Sequence, residues 1–430
     1  MPAGPVTRIV ADLRTLPRQF WLLAAGILVY LVGVDLSYPY ETLYLNGQLD
    51  VSMTAVGLIL GVTLFATLPM QVIGGALCDK VGRRPVLVVA MLGSMTLYIG
   101  LGLTRDLGVI IALFAFEAAF GWAQFITASN AMIADLAPPA RRAEAFSVSR
   151  VALNAGTMIG PLLALPLLAL DPSLRLNFLA SGVVCGTVLV MALVLLRETR
   201  PPAVHAASIA ITFRGYGRVL RDRRMVAFCL VALLPLYGFG QIWVTLPVML
   251  ADLHAVSATR WSVALTVYGF FVVVMQYPVI RALRDRDHML LLSLACAAQG
   301  LGMGLAAFVP WPWTLACVVS ISVGVVLLIP ITSTVVSRLA PAELRGRYMG
   351  AWTLVYMGGY ALGPLLGGWA LDALGGRDAY VAIAAAGLLG AALFPLLRGW
   401  TRAGTEGAGE REALEMLGDR LRSERPEEAT

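Results

Sequence analysis

The sequence predicts an all-α integral membrane protein in which twelve transmembrane helices form two six-helix, pseudo-symmetric bundles. Three observations predict it. Of 430 residues, 59% are hydrophobic and only 13% charged, against about 25% charged in soluble domains, and mean hydropathy is +0.79. Apolar runs long enough to cross a bilayer core of about 30 Å recur twelve times along the chain. The two halves also repeat: shifting the sequence by 203 lays Leu136–Leu163 on Leu339–Leu366 with nine of 28 positions identical, Pro, Arg and Gly among them. Equal orientation of the two copies describes parallel halves related by an axis along the membrane normal, and in such transporters substrate binds where the halves meet.

In order, the spans fall at about 19–45, 53–77, 84–104, 108–134, 144–170 and 177–197, then 225–251, 260–281, 288–309, 313–339, 346–373 and 378–398. Residues 1–18 precede them, 198–224 form an Arg- and Pro-rich linker between the bundles 19–197 and 225–398, and 399–430 form a polar tail, either solvated or a short amphipathic helix. Alternate connections differ sharply in basic residues. Arg8, Arg14, Arg18, Lys80, Arg83, Arg84, Arg141 and Arg142 share one side with the linker, Arg281–Arg286, Arg338–Arg347 and the tail; the other side holds Arg105, Arg175, Arg260 and Arg377. By the positive-inside rule both termini are cytoplasmic. The first span has the length of a true crossing rather than of a cleavable leader.

The net charge of +6 is then an orientation signal and an attraction to anionic lipid, not a nucleic-acid footprint. Cys78, Cys185, Cys229, Cys296 and Cys317 stand singly and read as packing residues. His205, His254 and His288 lie in or beside connections, so no metal or cofactor site is expected. There is no GxxxxGK[ST] phosphate loop for an ATP-driven pump and no clustered nucleophile, base or metal set for an enzyme.

Between the second and third spans stands GALCDKVGRRPVL, Gly75 to Leu87. Its glycines, Gly75 and Gly82, permit a tight turn, and Asp79 at one helix end with Arg83 and Arg84 at the next forms a partly desolvated charge cluster. This loop resembles the signature G-x-L-x-D-(R/K)-x-G-(R/K)-(R/K)-x-x-L of the major facilitator superfamily. The resemblance implies that Asp79, Arg83 and Asp135, which ends span four, latch the cytoplasmic side when a transporter faces outward. The second-half counterpart Pro278–Asp287 keeps basic residues but lacks the glycines, implying a weaker latch. Gly156-x-x-x-Gly160-Pro161 and Gly359-x-x-x-Gly363-Pro364 are similar to the family's antiporter motif, although Ala164 and Leu165 replace its last two glycines in span five. Small residues four apart let helices approach closely, and proline interrupts the hydrogen-bond ladder. Gly33 and Pro39 match part of a drug-exporter pattern. Together these features resemble the twelve-span drug:proton antiporters.

A charge at the bilayer centre costs about 3 kcal/mol or more, so intramembrane acids are functional candidates. Asp35 and Glu117 lie about ten and nine residues from the same side, hence both roughly 15 Å deep. In the resembled fold spans one, four, seven and ten line the cavity, which implies that the two acids share it and bind the coupling proton. Glu117 stands where the family's span-four motif has Arg, which favours cations; its alternative is a pair with Arg150. Glu41, six residues past Asp35, is rotated by about 120° in a regular helix, so it reads as either a hydrated outer-rim carboxylate or a second proton or cation site, with Pro39 as the bend. Tyr38, Gln124, Asn130, Tyr237, Gln241, Trp243, Tyr268 and Gln276 supply candidate aromatic and hydrogen-bonding contacts to substrate. The resemblance implies a monomeric proton-driven exporter of lipophilic or cationic drugs in a bacterial inner membrane, its partners being substrate, protons and lipid. The alternatives are a transporter of a metabolite, sugar or lipid-like compound, and a non-transporting receptor or scaffold, which would need neither latch nor intramembrane acids.

Overall fold

The computed structural model describes residues 16–200, 216–283, 285–341 and 344–399. Expectations for the N-terminal residues 1–15, for most of the linker and for the tail beyond 399 lie outside the described residues.

Among the described residues twelve helices are long and apolar enough to cross a membrane: α1 (Arg18–Gly47), α2 (Met53–Val81), α3 (Arg83–Leu103), α4 (Leu107–Leu136), α5 (Glu144–Leu170), α6 (Arg175–Val194), α7 (Arg223–His254), α8 (Ala258–Leu283), α9 (His288–Ala306), α10 (Thr314–Leu339), α11 (Arg345–Leu374) and α12 (Gly376–Leu396). Their outward faces carry exposed apolar side chains such as Leu58, Val62, Val183 and Leu230, as a lipid-facing surface requires. Side-chain acceptors start several of them. The Ser52 hydroxyl caps α2 through Ala55 N–H, Asp106 caps α4 through Val109 N–H, and Asp222 and Asp287 cap α7 and α9. Each takes up a backbone donor that the first helical turn leaves free. Between α2 and α3 the chain turns on Gly82 at φ +111°, a conformation that a side chain would strain.

The repeated Gly-x-x-x-Gly-Pro stretches pack the same pair of spans in each half. On α5, Gly156 lies against Leu28 and Leu31 of α1, and a methyl on Gly160 would sit 2.7 Å from the Asp35 carbonyl carbon. On α11, Gly359 lies against Leu236 of α7, and a methyl on Gly363 would sit 2.6 Å from the Gly240 Cα. Pro161 and Pro364 are accommodated inside continuous helices.

The halves touch mainly through α2 with α11 and α5 with α8. Gly57 and Gly61 let α2 approach the backbone of Pro364 and Ala361, and Gly368 meets Met53. At the face opposite the chain ends, Asp372 of α11 accepts from Met53 N–H at 3.1 Å, Thr54 N–H at 2.7 Å and the Thr54 hydroxyl at 2.6 Å. Tyr40 bonds Ser262 across the same seam. These contacts close the bundle at that face.

Candidate functional site

Span α1 is not one helix. Its helix Arg18–Asp35 ends, a 3-10 turn covers Tyr38–Tyr40 with Pro39 at its start, and a second helix runs Glu41–Gly47. Backbone groups freed inside a membrane protein need partners, and α6 provides one: Asn177 donates to the Leu36 carbonyl at 2.8 Å. Ser181 of the same span bonds the Ser37 side-chain hydroxyl at 2.6 Å. The break resets the helical phase. Glu41 was expected to point well away from Asp35 on a regular helix, with the outer rim as one alternative; instead it is 3% exposed and faces the same cavity as Asp35, itself 6% exposed. The Tyr98 hydroxyl lies near it in the same cavity.

Span α4 is broken too, at Gly121 with φ −95° and ψ −111°. Glu117 closes the first segment, and its Oε1 accepts from Trp122 N–H, the first donor of the next segment, at 2.8 Å. The carboxylate thus sits at a helix N-terminus, where the peptide dipoles favour negative charge. Trp122 in turn stacks on Phe125, and Phe125 on Tyr30 at 3.8 Å between centroids. Arg150, the alternative partner of Glu117, is exposed, and no ion pair joins it to Glu117 among the described residues. Asp35 accepts from the Thr157 hydroxyl at 2.7 Å.

These three acids line one cavity of about 300 Å³, within the range of small-molecule sites. The first half contributes the carboxylates with Tyr30, Tyr38 and Tyr98; the second contributes Phe239, Trp243, Val244, Tyr356, Met357 and Tyr360. No Lys, Arg or His is among the lining residues. Trp243 lies 5.9 Å from Tyr38 and stands edge-on to Tyr268 at 5.7 Å. Phe114 and Trp122 of the first half also line it, so the acids of one half sit among aromatic side chains from both, an arrangement that attracts a cation through both charge and ring quadrupoles.

Of the candidate substrate residues, Tyr38 and Trp243 line this cavity and the other six do not. Gln124 donates to the Met70 and Ala119 carbonyls against Gly74 of α2. Gln241 donates to Gly363 O at 3.1 Å and accepts from Thr245. Tyr268 supports Trp243 from behind, Tyr237 packs its backbone on Gly363, Asn130 is exposed and Gln276 is half-buried on α8. Long-range helix packing claims Gln124 and Gln241, which a single span cannot reveal.

At the face carrying the chain ends, Arg83 pairs with Asp79 at 3.2 Å and Asp135 at 2.9 Å and donates to Cys78 O at 2.9 Å. Arg84 ties α3 to the Ala192 and Leu193 carbonyls of α6. Gly75 has open space at its Cβ position. Sequence reasoning missed Glu198. Its carboxylate accepts from Arg83 N–H at 2.9 Å and Arg84 N–H at 3.1 Å, and a methyl on Gly82 would run into it. Partial burial raises its pKa, but the backbone N–H groups of Arg83, Arg200, Arg84 and Thr199 outweigh that and hold the carboxyl below the usual glutamate range. Thr199 also donates to Asp135 at 3.2 Å, and Arg200 to Lys80 O at 2.8 Å. The signal was the run Arg197-Glu198-Thr199-Arg200, set aside as linker. The second half has a counterpart in which Asp287 caps α9 and pairs with Arg398 after α12.

Twelve spans closed over a buried acidic cavity define a multi-pass membrane transporter rather than an enzyme. The family model described as Major Facilitator Superfamily matches residues 23–241 and 228–424, and the chain belongs to that family. It is 28% identical over 371 residues to multidrug resistance protein MdtH of Citrobacter koseri, an alignment covering 84% of this chain and 88% of that protein. MdtH of Salmonella newport gives the same identity and coverage. Among solved structures, the human organic anion transporter MFSD10 (TETRAN) aligns with TM-score 0.62 and 20% identity over 88% of this chain and 100% of that one. The nucleoside transporter NupG aligns with TM-score 0.73 and 13% identity over 89% and 99%. At those identities the structures share the fold alone.

Proposed function

We propose that the protein is a proton-coupled exporter of lipophilic organic cations, working by alternating access in a bacterial inner membrane with both termini cytoplasmic. The observation that carries this is the cavity: three carboxylates and an aromatic wall with no basic side chain. An organic anion would meet repulsion there without a cationic partner. The MdtH relatives carry a multidrug resistance name, which supports the substrate class.

In this reading Asp35, Glu41 and Glu117 take protons while the cavity faces outward, and the entering cation displaces them. Neutralising the acids one way or the other is what permits the loaded cavity to close, since an unpaired buried carboxylate is costly. The cation leaves outward as protons return inward. The moving bodies are 19–197 and 225–398, with 198–224 between them. Asp79, Arg83, Arg84 and Asp135 act as the cytoplasmic latch, Gly75 and Gly82 give its turn, and Glu198 holds it to α6. The antiporter-like residues Gly156, Gly160, Pro161, Gly359, Gly363 and Pro364 keep α1 and α7 in close register with α5 and α11. The unit is a monomer in lipid.

The test is uptake of ethidium into proteoliposomes under an imposed pH gradient. Asp35→Asn, Glu41→Gln and Glu117→Gln each lower gradient-driven accumulation; accumulation equal to wild type in all three overturns the assignment.

A further inference from the structure

Thr157 and Tyr360 are the same position of the internal repeat, 203 residues apart, each following the first glycine of its Gly-x-x-x-Gly-Pro stretch. Both side chains end on the broken segment of α1. The Thr157 hydroxyl donates to Asp35 Oδ2 at 2.7 Å, and the Tyr360 and Tyr38 hydroxyls share a hydrogen bond at 2.7 Å. One holds the last residue of the helix before the break and the other the first residue of the 3-10 turn.

Thr157 is also placed to transmit what happens at Asp35. Gly160, one turn on, has no room for a methyl against the Asp35 backbone, so α5 and the end of the first α1 helix move together. Met158, the next residue, lies against Gly269 of α8, where a methyl would be 3.2 Å from its Cα, and α8 belongs to the other half. The path Asp35, Thr157, Met158, Gly269 therefore joins a buried acid to the seam between the halves in three steps.

A threonine hydroxyl suits this place because it is both donor and acceptor. Towards an ionised Asp35 it donates; towards a protonated Asp35 it can turn and accept. The titratable groups that line the cavity with Asp35 are Glu41, Glu117, Tyr30, Tyr38, Tyr98, Tyr356 and Tyr360, with Tyr40 also near it, none of them basic. Thr157 is the side-chain donor to it among the described residues.

We propose that Thr157 is a positioning residue, orienting the Asp35 carboxyl for proton exchange and passing its protonation state through α5 to the seam at Met158 and Gly269. This rests on Asp35 being a proton site, so the experiment separates the two. The full-length protein is reconstituted in proteoliposomes; gradient-driven ethidium accumulation is measured, and infrared difference spectra on ethidium addition record the protonated-carboxyl band that Asp35→Asn removes. A hydrogen bond to a charged group being lost, Thr157→Val lowers accumulation by roughly tenfold and shifts that band. Thr157→Ala, with less bulk, does the same, and Thr157→Ser restores both. Accumulation within about twofold of wild type in Val and Ala, an unshifted band, or no rescue by Ser overturns the proposal. If Asp35→Asn itself accumulates ethidium normally and removes no band, it is the proton-site reading that fails.

Discussion

A carboxylate buried without a cationic neighbour must hold a proton, exchange one or meet a cation from outside. Asp35, Glu41 and Glu117 all stand in that position: Asp35 accepts from Thr157, Glu117 from Trp122 N–H, and Tyr98 lies near Glu41. Glu41→Gln is expected to reduce gradient-driven ethidium accumulation by about tenfold or more, the loss of an interaction with a charge, with the same uptake assay as the check. Gln124→Ala belongs to a different class: it strands the Met70 and Ala119 acceptors and costs about 1–3 kcal/mol of stability, read as a lower thermal midpoint. Asp35 and Glu117 were legible in the sequence because an acid inside an apolar run stands out by itself. The orientation of Glu41 was not, because the break that turns it inward depends on Asn177 and Ser181, which are 141 and 144 positions from their partners.

Helix ends and crossings carry the next scale. Glu198 caps α3 from the end of α6. Because its folded-state pKa is depressed, the stabilisation is fully present above the ordinary glutamate value of about 4.3 and is lost as pH falls through the lower folded value. Glu198→Ala is expected to lower the thermal midpoint at neutral pH, a cap being worth about 1 kcal/mol, and the gap to wild type should close below about pH 4. At the opposite face Asp372 clamps the start of α2 from α11 with three hydrogen bonds. Asp372→Ala removes them at about 1 kcal/mol each, so the face opens more often and a cysteine replacing the buried Val51 reacts faster with a membrane-impermeant maleimide; an unchanged rate would contradict the clamp. Span lengths were readable from hydropathy, as were the paired Gly-x-x-x-Gly-Pro crossings from the repeat. The bend at Pro39 was expected as well; that it is a full break followed by a 3-10 turn, the interruption at 121 and the cap from Glu198 were not, since each depends on contacts outside its own apolar run.

The two halves are alike in backbone and unlike in chemistry. Gly160 of α5 against α1 and Gly363 of α11 against α7 make the same helix crossing, yet every cavity acid comes from the first half while aromatic side chains come from both, Phe114 and Trp122 beside three tyrosines in the first and Trp243, Phe239, Tyr356 and Tyr360 in the second. A rocking motion of such halves about their shared seam leaves all three acids on one side, so a bound flat cation keeps its charge contacts with the first half and loses the rings of the second as the cavity opens. The architecture could be inferred from twelve apolar runs and a 203-residue shift; the division of labour between the halves needed the folded chain, which sends Gln124 and Gln241 into helix packing and leaves Trp243 in the cavity. The most direct measurement is ethidium accumulation in proteoliposomes of oriented protein with and without a pH gradient, comparing wild type with the Asp35→Asn, Glu41→Gln, Glu117→Gln triple variant. Accumulation that requires the gradient and vanishes in the triple variant is expected; gradient-driven accumulation that survives removal of all three acids would contradict the account.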